Sequence, residues 1–160
     1  MTHELTAVEE WAGALLAGLE PAARHKLNLQ VAQELRRSQQ QRIKAQQAPD
    51  GSPYPPRKKR ALLRNKKDRI KKQKAAMFTK LRTATYLKTQ ADANQIAVGF
   101  FGRAARIARV HQFGLQGRVS CEGPLVKYVE RKLLDFDDVD RELIRELILQ
   151  KMGSAYTSGS

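Results

Sequence analysis

The sequence predicts an α+β fold: a small antiparallel β-sheet flanked by N-terminal and C-terminal helices, with a long basic, proline-rich loop or arm. Three observations predict it. Apolar residues recur at three- and four-residue steps over residues 4–19 and again from Val139 to Ile148, the pattern of amphipathic helices. Gln95-Ile-Ala-Val-Gly-Phe-Phe101 is rich in strand formers and follows the turn-like Ala91-Asp92-Ala93-Asn94. Residues 48–56 hold four prolines, and residues 57–74 hold eleven Lys and Arg.

In the first helix, Leu5, Val8, Trp11, Ala12, Leu15, Leu16 and Leu19 form one stripe, with Trp11 as a packing anchor. Thr6 and Glu9 have capping-box spacing. Pro21 suits the first turn of a second helix, whose buried side is marked by Leu27, Val31, Leu35 and Ile43. From Arg36 to Arg42 this helix turns polar. It is expected to bury little there and to project from the core or lie along a partner. It must end before Pro49, where Ala-Pro-Asp-Gly-Ser-Pro-Tyr-Pro-Pro begins a loop. Asp50-Gly51 favours a turn, and Pro53 and Pro55 remove backbone donors.

The strand-like residues 81–90 and 95–101 predict an antiparallel hairpin. Residues 103–112 predict a short helix ending near Gly114, with Ala105, Ile107, Ala108 and Val110 packing and Arg103, Arg106 and Arg109 outside. Residues 117–123 read as irregular, and Val126 to Leu134 as an apolar segment compatible with a strand. Asp137 or Asp138 can cap a last helix with Val139, Leu143, Ile144, Leu147 and Ile148 on its buried stripe. The expected organisation is a single domain: a helical region over 1–47, a loop and arm over 48–78, an α+β body over 79–152 and a loose tail over 153–160.

Composition narrows the function classes. Hydrophobic residues make up 41% of the chain, slightly low for a globule, so the core is not expected to extend over all 160 residues. The net charge of +14 favours an anionic partner: nucleic acid, an acidic protein surface or anionic lipid. A single cysteine, Cys121, excludes an intrachain disulfide. No secretory signal is visible at Met1-Thr2-His3-Glu4 and no apolar run is long enough to span a bilayer, so the expected compartment is the cytosol.

No phosphate-binding glycine loop, dinucleotide fingerprint or zinc spacing is present. Asp135, Asp137, Asp138 and Asp140 form the one acidic cluster. A helix start explains it better than a cation site, because carboxylates there meet the positive end of the helix dipole. His111 reads as a side chain that packs and hydrogen-bonds at a helix end, since no activating partner can be named. The expectation is therefore a protein that binds and assembles, with no catalytic residue, no metal, no cofactor and no small-molecule substrate.

The arm is the strongest charge feature. Arg57, Lys58, Lys59, Arg60, Arg64, Lys66, Lys67, Arg69, Lys71, Lys72 and Lys74 stand against Asp68 alone, so residues 57–74 carry +10 of the +14. Three readings stay open: a solvated charge run, sequence-independent phosphate contact with nucleic acid, or docking to an acidic protein surface.

The order of motifs resembles a known family. The Asp50-Gly-Ser-Pro-Tyr-Pro-Pro56 loop, the basic stretch, Leu81-Arg-Thr83, Ile96-Ala-Val-Gly99, Ile107-Ala-Arg-Val-His-Gln-Phe-Gly114, Arg131-Lys-Leu-Leu134 and the closing 137–152 segment resemble the phage tail-completion protein S, or virion morphogenesis, family of contractile-tailed phages. The chain departs from it at Gly117-Arg-Val-Ser-Cys-Glu-Gly-Pro124, where a typical member carries an arginine-proline or similar turn. The resemblance implies a non-enzymatic part in finishing the tail and forming the head–tail joint. It implies residence in the host cytoplasm during assembly and then in the virion neck. The implied partners are a tail terminator, the tail tube end, a head connector and further copies in a ring, six by analogy with a contractile tail, with non-specific DNA contact and no membrane. His111, Gln112, Phe113 and Gly114 are expected to hold the body together.

Overall fold

The computed structural model of the chain describes residues 2–58, 76–118 and 121–157. Lys59 to Lys74 of the predicted arm lie outside the described residues. Four helices and two small antiparallel sheets make up the fold, so the class is α+β as predicted. Helices α1 (Thr2–Leu16) and α2 (Pro21–Lys44) come first, then β1 (Leu87–Ala91), β2 (Ile96–Phe100), α3 (Arg103–Gln112), β3 (Gln116–Arg118), β4 (Leu125–Lys127) and α4 (Asp138–Thr157).

The pieces form two packed clusters joined by α2. In the first, Leu27, Val31 and Leu35 of α2 meet Ile148 of α4, with Trp11, Leu15 and Leu16 of α1 and Ile96 and Val98 of β2 packed around them. The Asn28 amide donates to the Asp92 carbonyl at 2.8 Å, which docks the β1–β2 turn on α2. In the second, Tyr54, Met77, Leu81, Ala104, Ala108 and Leu133 pack together beyond the C-terminal end of α2.

Several expectations need correction. The polar half of α2 neither projects nor lacks burial: Gln39, Arg42 and Ile43 are all buried. The first expected strand begins only at Leu87, because residues 80–86 are coiled into turns. The Thr83 hydroxyl donates to the Lys80 carbonyl at 2.7 Å and the Leu87 amide to the Thr83 carbonyl at 2.9 Å, a local side-chain bond that competes with sheet pairing. A second hairpin takes Gly117 and Arg118 into β3, where Gly117 faces Val126 of β4. Residues 153–157, expected as loose tail, continue α4 to Thr157.

The β4 strand is also shorter than the 126–134 segment read from sequence. Beyond Lys127 the chain stays extended, but its amides find irregular partners. Tyr128 donates to the Leu115 carbonyl at 3.1 Å and Arg131 to the His111 carbonyl at 2.7 Å. No helix among the described residues is long and apolar enough to cross a membrane.

Candidate assembly interface

The loop at 46–56 delivers two things to the second cluster, a buried tyrosine and a pair of free carbonyls. Gln46 has φ 60°, and its carbonyl accepts the Tyr54 amide at 2.8 Å. Gly51 sits at φ 81°, in the left-handed region that glycine enters without steric cost. Asp50 closes the same turn by accepting from the Ser52 amide at 2.9 Å and the Ser52 hydroxyl at 2.5 Å. Those two bonds hold its carboxyl below the usual range. Pro53 faces solvent beyond the turn, bridged to Gln47. Pro55 and Pro56 then present their carbonyls to Arg131, whose Nε and Nη2 donate to them at 2.8 and 2.9 Å. Burial and the charge of Arg57 lower the affinity of the Arg131 guanidinium for its proton.

Tyr54 stands at one end of a row of rings. Its centroid is 5.7 Å from that of Phe78, the His111 ring lies 4.9 Å beyond Phe78, and Tyr128 lies 4.9 Å beyond His111, each pair edge to face. Burial pushes the Tyr54 phenol up to about 12. Burial, aided by Arg131 and Arg57, pushes the His111 imidazole down to about 4. The His111 Nδ1 is buried with no hydrogen-bond partner among the described residues. The ring works as an apolar slab that stays neutral beside two guanidinium groups.

This state carries a testable consequence. The unfolded imidazole titrates near about 6.5, so between pH 6.5 and 4 the unfolded chain binds more protons than the folded one. The contribution is complete above pH 6.5 and is lost as the pH falls towards 4. After discounting for partial solvent access, roughly 1–2 kcal/mol should disappear across that window. His111→Phe, measured by denaturant melts at pH 7 and 4.5, should lose that component of the pH dependence. An unchanged slope would show that the imidazole is not desolvated.

The neighbouring residues divide their roles. Gln112 bonds α3 to the closing segment: its amide donates to the Leu134 carbonyl at 2.7 Å, and its oxygen accepts from the Leu133 and Leu134 amides at 2.7 and 3.1 Å. Gly114, at φ 59°, passes so close to Glu130 that an added Cβ would stand 3.1 Å from its amide nitrogen. Phe113 does not join them, being 62% exposed. The acidic cluster ends in an ion-pair network. Asp137 caps α4 by accepting from the Asp140 amide at 2.7 Å, and Arg42 donates to Asp137 at 2.7 Å and to Asp140 at 3.1 Å.

Arg57 and Lys58 stand where the predicted arm begins, and Arg57 Nη2 donates to the Ala76 carbonyl at 3.2 Å, so the described residues on either side of 59–75 approach each other. Here a groove of about 620 Å³ opens. Its walls are Met77, Phe78, Leu81, Ile107, Val126, Tyr128 and Val129. Its charges are Arg57, Lys58, Lys80, Lys127 and Arg131, with no acid among the described residues that line it. Ile107 on the rim is 50% exposed, where sequence reasoning had it packing, and Leu125 is 62% exposed.

Sequence reasoning did not single out Gln46, Arg42, Tyr54 or Tyr128. One signal for Arg131 was present: consecutive prolines supply acceptors without donors, so a buried loop of them needs a donor from elsewhere.

A family model described as the phage virion morphogenesis family matches residues 3–153. "Tail completion protein S" of Escherichia phage P2 is 38% identical over 148 residues, covering 92% of this chain and 96% of that protein. No solved structure matches the chain. With the match running from α1 through most of α4 and taking in the proline loop, the His111–Gly114 motif and the groove, the chain belongs to the phage virion morphogenesis family.

Proposed function

We propose that the protein is a non-enzymatic morphogenesis factor that completes a phage tail and helps form the joint with the filled head, as one subunit of a ring or connector. The observation that carries this reading is the likeness to tail completion protein S over nearly the full length of both chains. The groove supports it physically. A basic, apolar-walled surface at the root of the arm suits docking to acidic protein surfaces such as a tail terminator, tube end or head connector. Six copies follow from analogy with a contractile tail, and the work is done in the host cytoplasm before the protein stays in the virion neck.

A phage with a stop codon at this gene should accumulate filled heads and finished-looking tails that remain apart in electron micrographs. Adding the purified protein to that lysate should join them. Joined, infectious particles formed without the protein would sink the reading.

One observation favours a second reading, sequence-independent binding of nucleic acid through residues 57–74. The described residues that line the groove at the root of the arm include Lys58, Lys80, Lys127 and Arg131 beside Arg57 and give it a basic surface. Deleting 59–74 should then abolish DNA binding and its steep salt dependence. An assembly protein without DNA contact would show neither before the deletion.

A further inference from the structure

The groove at Arg57 runs along the edge of a strand. Among the described residues β4 pairs with β3 alone, so its other edge has no strand beside it. In β4 and the two residues after it, Leu125, Lys127 and Val129 are exposed while Val126 and Tyr128 are half-buried, so the two sets stand on opposite faces. A groove over one face would take in one set only. This groove takes in Val126, Lys127, Tyr128 and Val129 in succession, so it follows the edge, where backbone is presented. The ladder says which backbone groups point there. The Tyr128 amide donates to the Leu115 carbonyl at 3.1 Å, and Gly117 stands opposite Val126. Neighbouring residues of an antiparallel ladder turn their amides and carbonyls to opposite sides, so those of Lys127 point away from β3. Around them the groove is apolar at Phe78, Ile107 and Val126 and basic at Lys58 and Lys80.

We infer that this groove takes an extended acidic segment of another protein as an added strand on β4. The inference rests on the assembly reading above and says how its groove grips a partner. The Lys127 amide and carbonyl bond the incoming backbone, which gives affinity without regard to its sequence. Alternation sets the chemistry of the rest. One face of the segment meets Val126 and Tyr128, and the other lies level with Lys127. The fitting segment therefore alternates apolar residues with Asp or Glu, and four of its residues span about 13 Å beside 126–129. Charge disfavours two other occupants. The arm at 57–74 would set its own Lys and Arg against Lys80 and Lys127. Pairing of two copies edge to edge would bring two Lys127 side chains and their basic neighbours together, and lysine on an edge keeps like edges apart.

The test uses the full chain and a short fluorescent peptide of alternating valine and glutamate, followed by anisotropy. The peptide should bind, more weakly as salt rises. Methylating either its valine or its glutamate backbone nitrogens should weaken binding at least about tenfold in one case and not in the other, because only alternate amides face the edge. Lys127→Pro removes the amide that faces the groove, at an edge position that tolerates proline. It should bind at least about tenfold more weakly than Lys127→Ala, which loses the same charge and keeps the amide. Circular dichroism melts matching the wild type would show that both variants fold, and the methylated peptides decide alone where Lys127→Pro does not.

Equal affinities of the two methylated peptides, equal affinities of the two folded variants, or an unmodified peptide that does not bind would each overturn the inference. Duplex DNA that binds the wild type and not Lys80→Glu with Lys127→Glu, while the peptide stays unbound, would overturn it in favour of nucleic acid. Heads and tails joined by a wild type that binds no peptide leave the tail-completion role standing while this interface falls.

Discussion

Arg42→Ala should lower the melting temperature by about 6–20 °C, the counterpart of roughly 3–5 kcal/mol for uncovering one half of a buried ion pair in a chain of this size. Asp140 is fully buried. Its carboxylate accepts from the Ser38 hydroxyl, from Gln39 Nε2 at 3.0 Å and from Arg42 Nη1 at 3.1 Å. The same guanidinium donates to the Asp135 carbonyl at 2.7 Å and to Asp137 at 2.7 Å. Removing it strands a carboxylate with only neutral donors in a place water does not reach. The cost is the desolvation of that charge, which is larger than the net worth of the pair. Arg42→Lys should recover less than half of the loss, because an ammonium cannot hold three acceptors in one plane. Thermal melts by circular dichroism check both. A drop of under about 2 °C for Arg42→Ala would mean that water replaces the guanidinium.

Gly114→Ala should destabilise the fold by about 2–4 kcal/mol. Two costs add at this position. A side chain at φ 59° is strained wherever it stands. The new Cβ would also meet the amide nitrogen, Cα and Cβ of Glu130 at 3.1 to 3.3 Å, atoms fixed by the extended segment that carries Tyr128 and Arg131. Moving that segment would disturb Arg131 on the proline carbonyls and Tyr128 on His111 together. Gly153→Ala is the control, since nothing stands within 4 Å of its added Cβ and it lies in α4. It should be neutral or stabilising by up to about 1 kcal/mol. Denaturant unfolding of both variants separates a local requirement at Gly114 from a general effect of alanine.

Local patterns carried much of the fold. The apolar stripes of α1 and α4, Pro21 at the start of α2, the Asp50-Gly51 turn and the β1–β2 hairpin all follow from propensity and spacing, and each is present. What periodicity misread was polarity. Arg36 to Arg42 looked like surface because hydrophobic pattern registers only apolar burial. The partners that bury Gln39 and Arg42 lie more than ninety residues away at Asp135, Asp137 and Asp140. The acidic cluster was correctly read as a helix start, yet its second role, anchoring α2, required knowing that α2 and α4 lie side by side. Ile107 and Phe113 were misplaced for a related reason, since spacing says which residues share a helix face but not whether that face is covered.

By itself the sequence determined the class of the fold, the family to which its motif order belongs, and the concentration of charge at 57–74, because these depend on residues close together in the chain. Only the tertiary structure decided that Arg57 meets Ala76, which apolar residues line the groove there, and why Gly114 must be glycine. It also decided that His111 stays neutral in a row of rings and that Arg131 holds the proline loop. Those outcomes depend on contacts between segments brought together by packing, and burial, the cause of each pKa shift at Tyr54, His111 and Arg131, has no local signature.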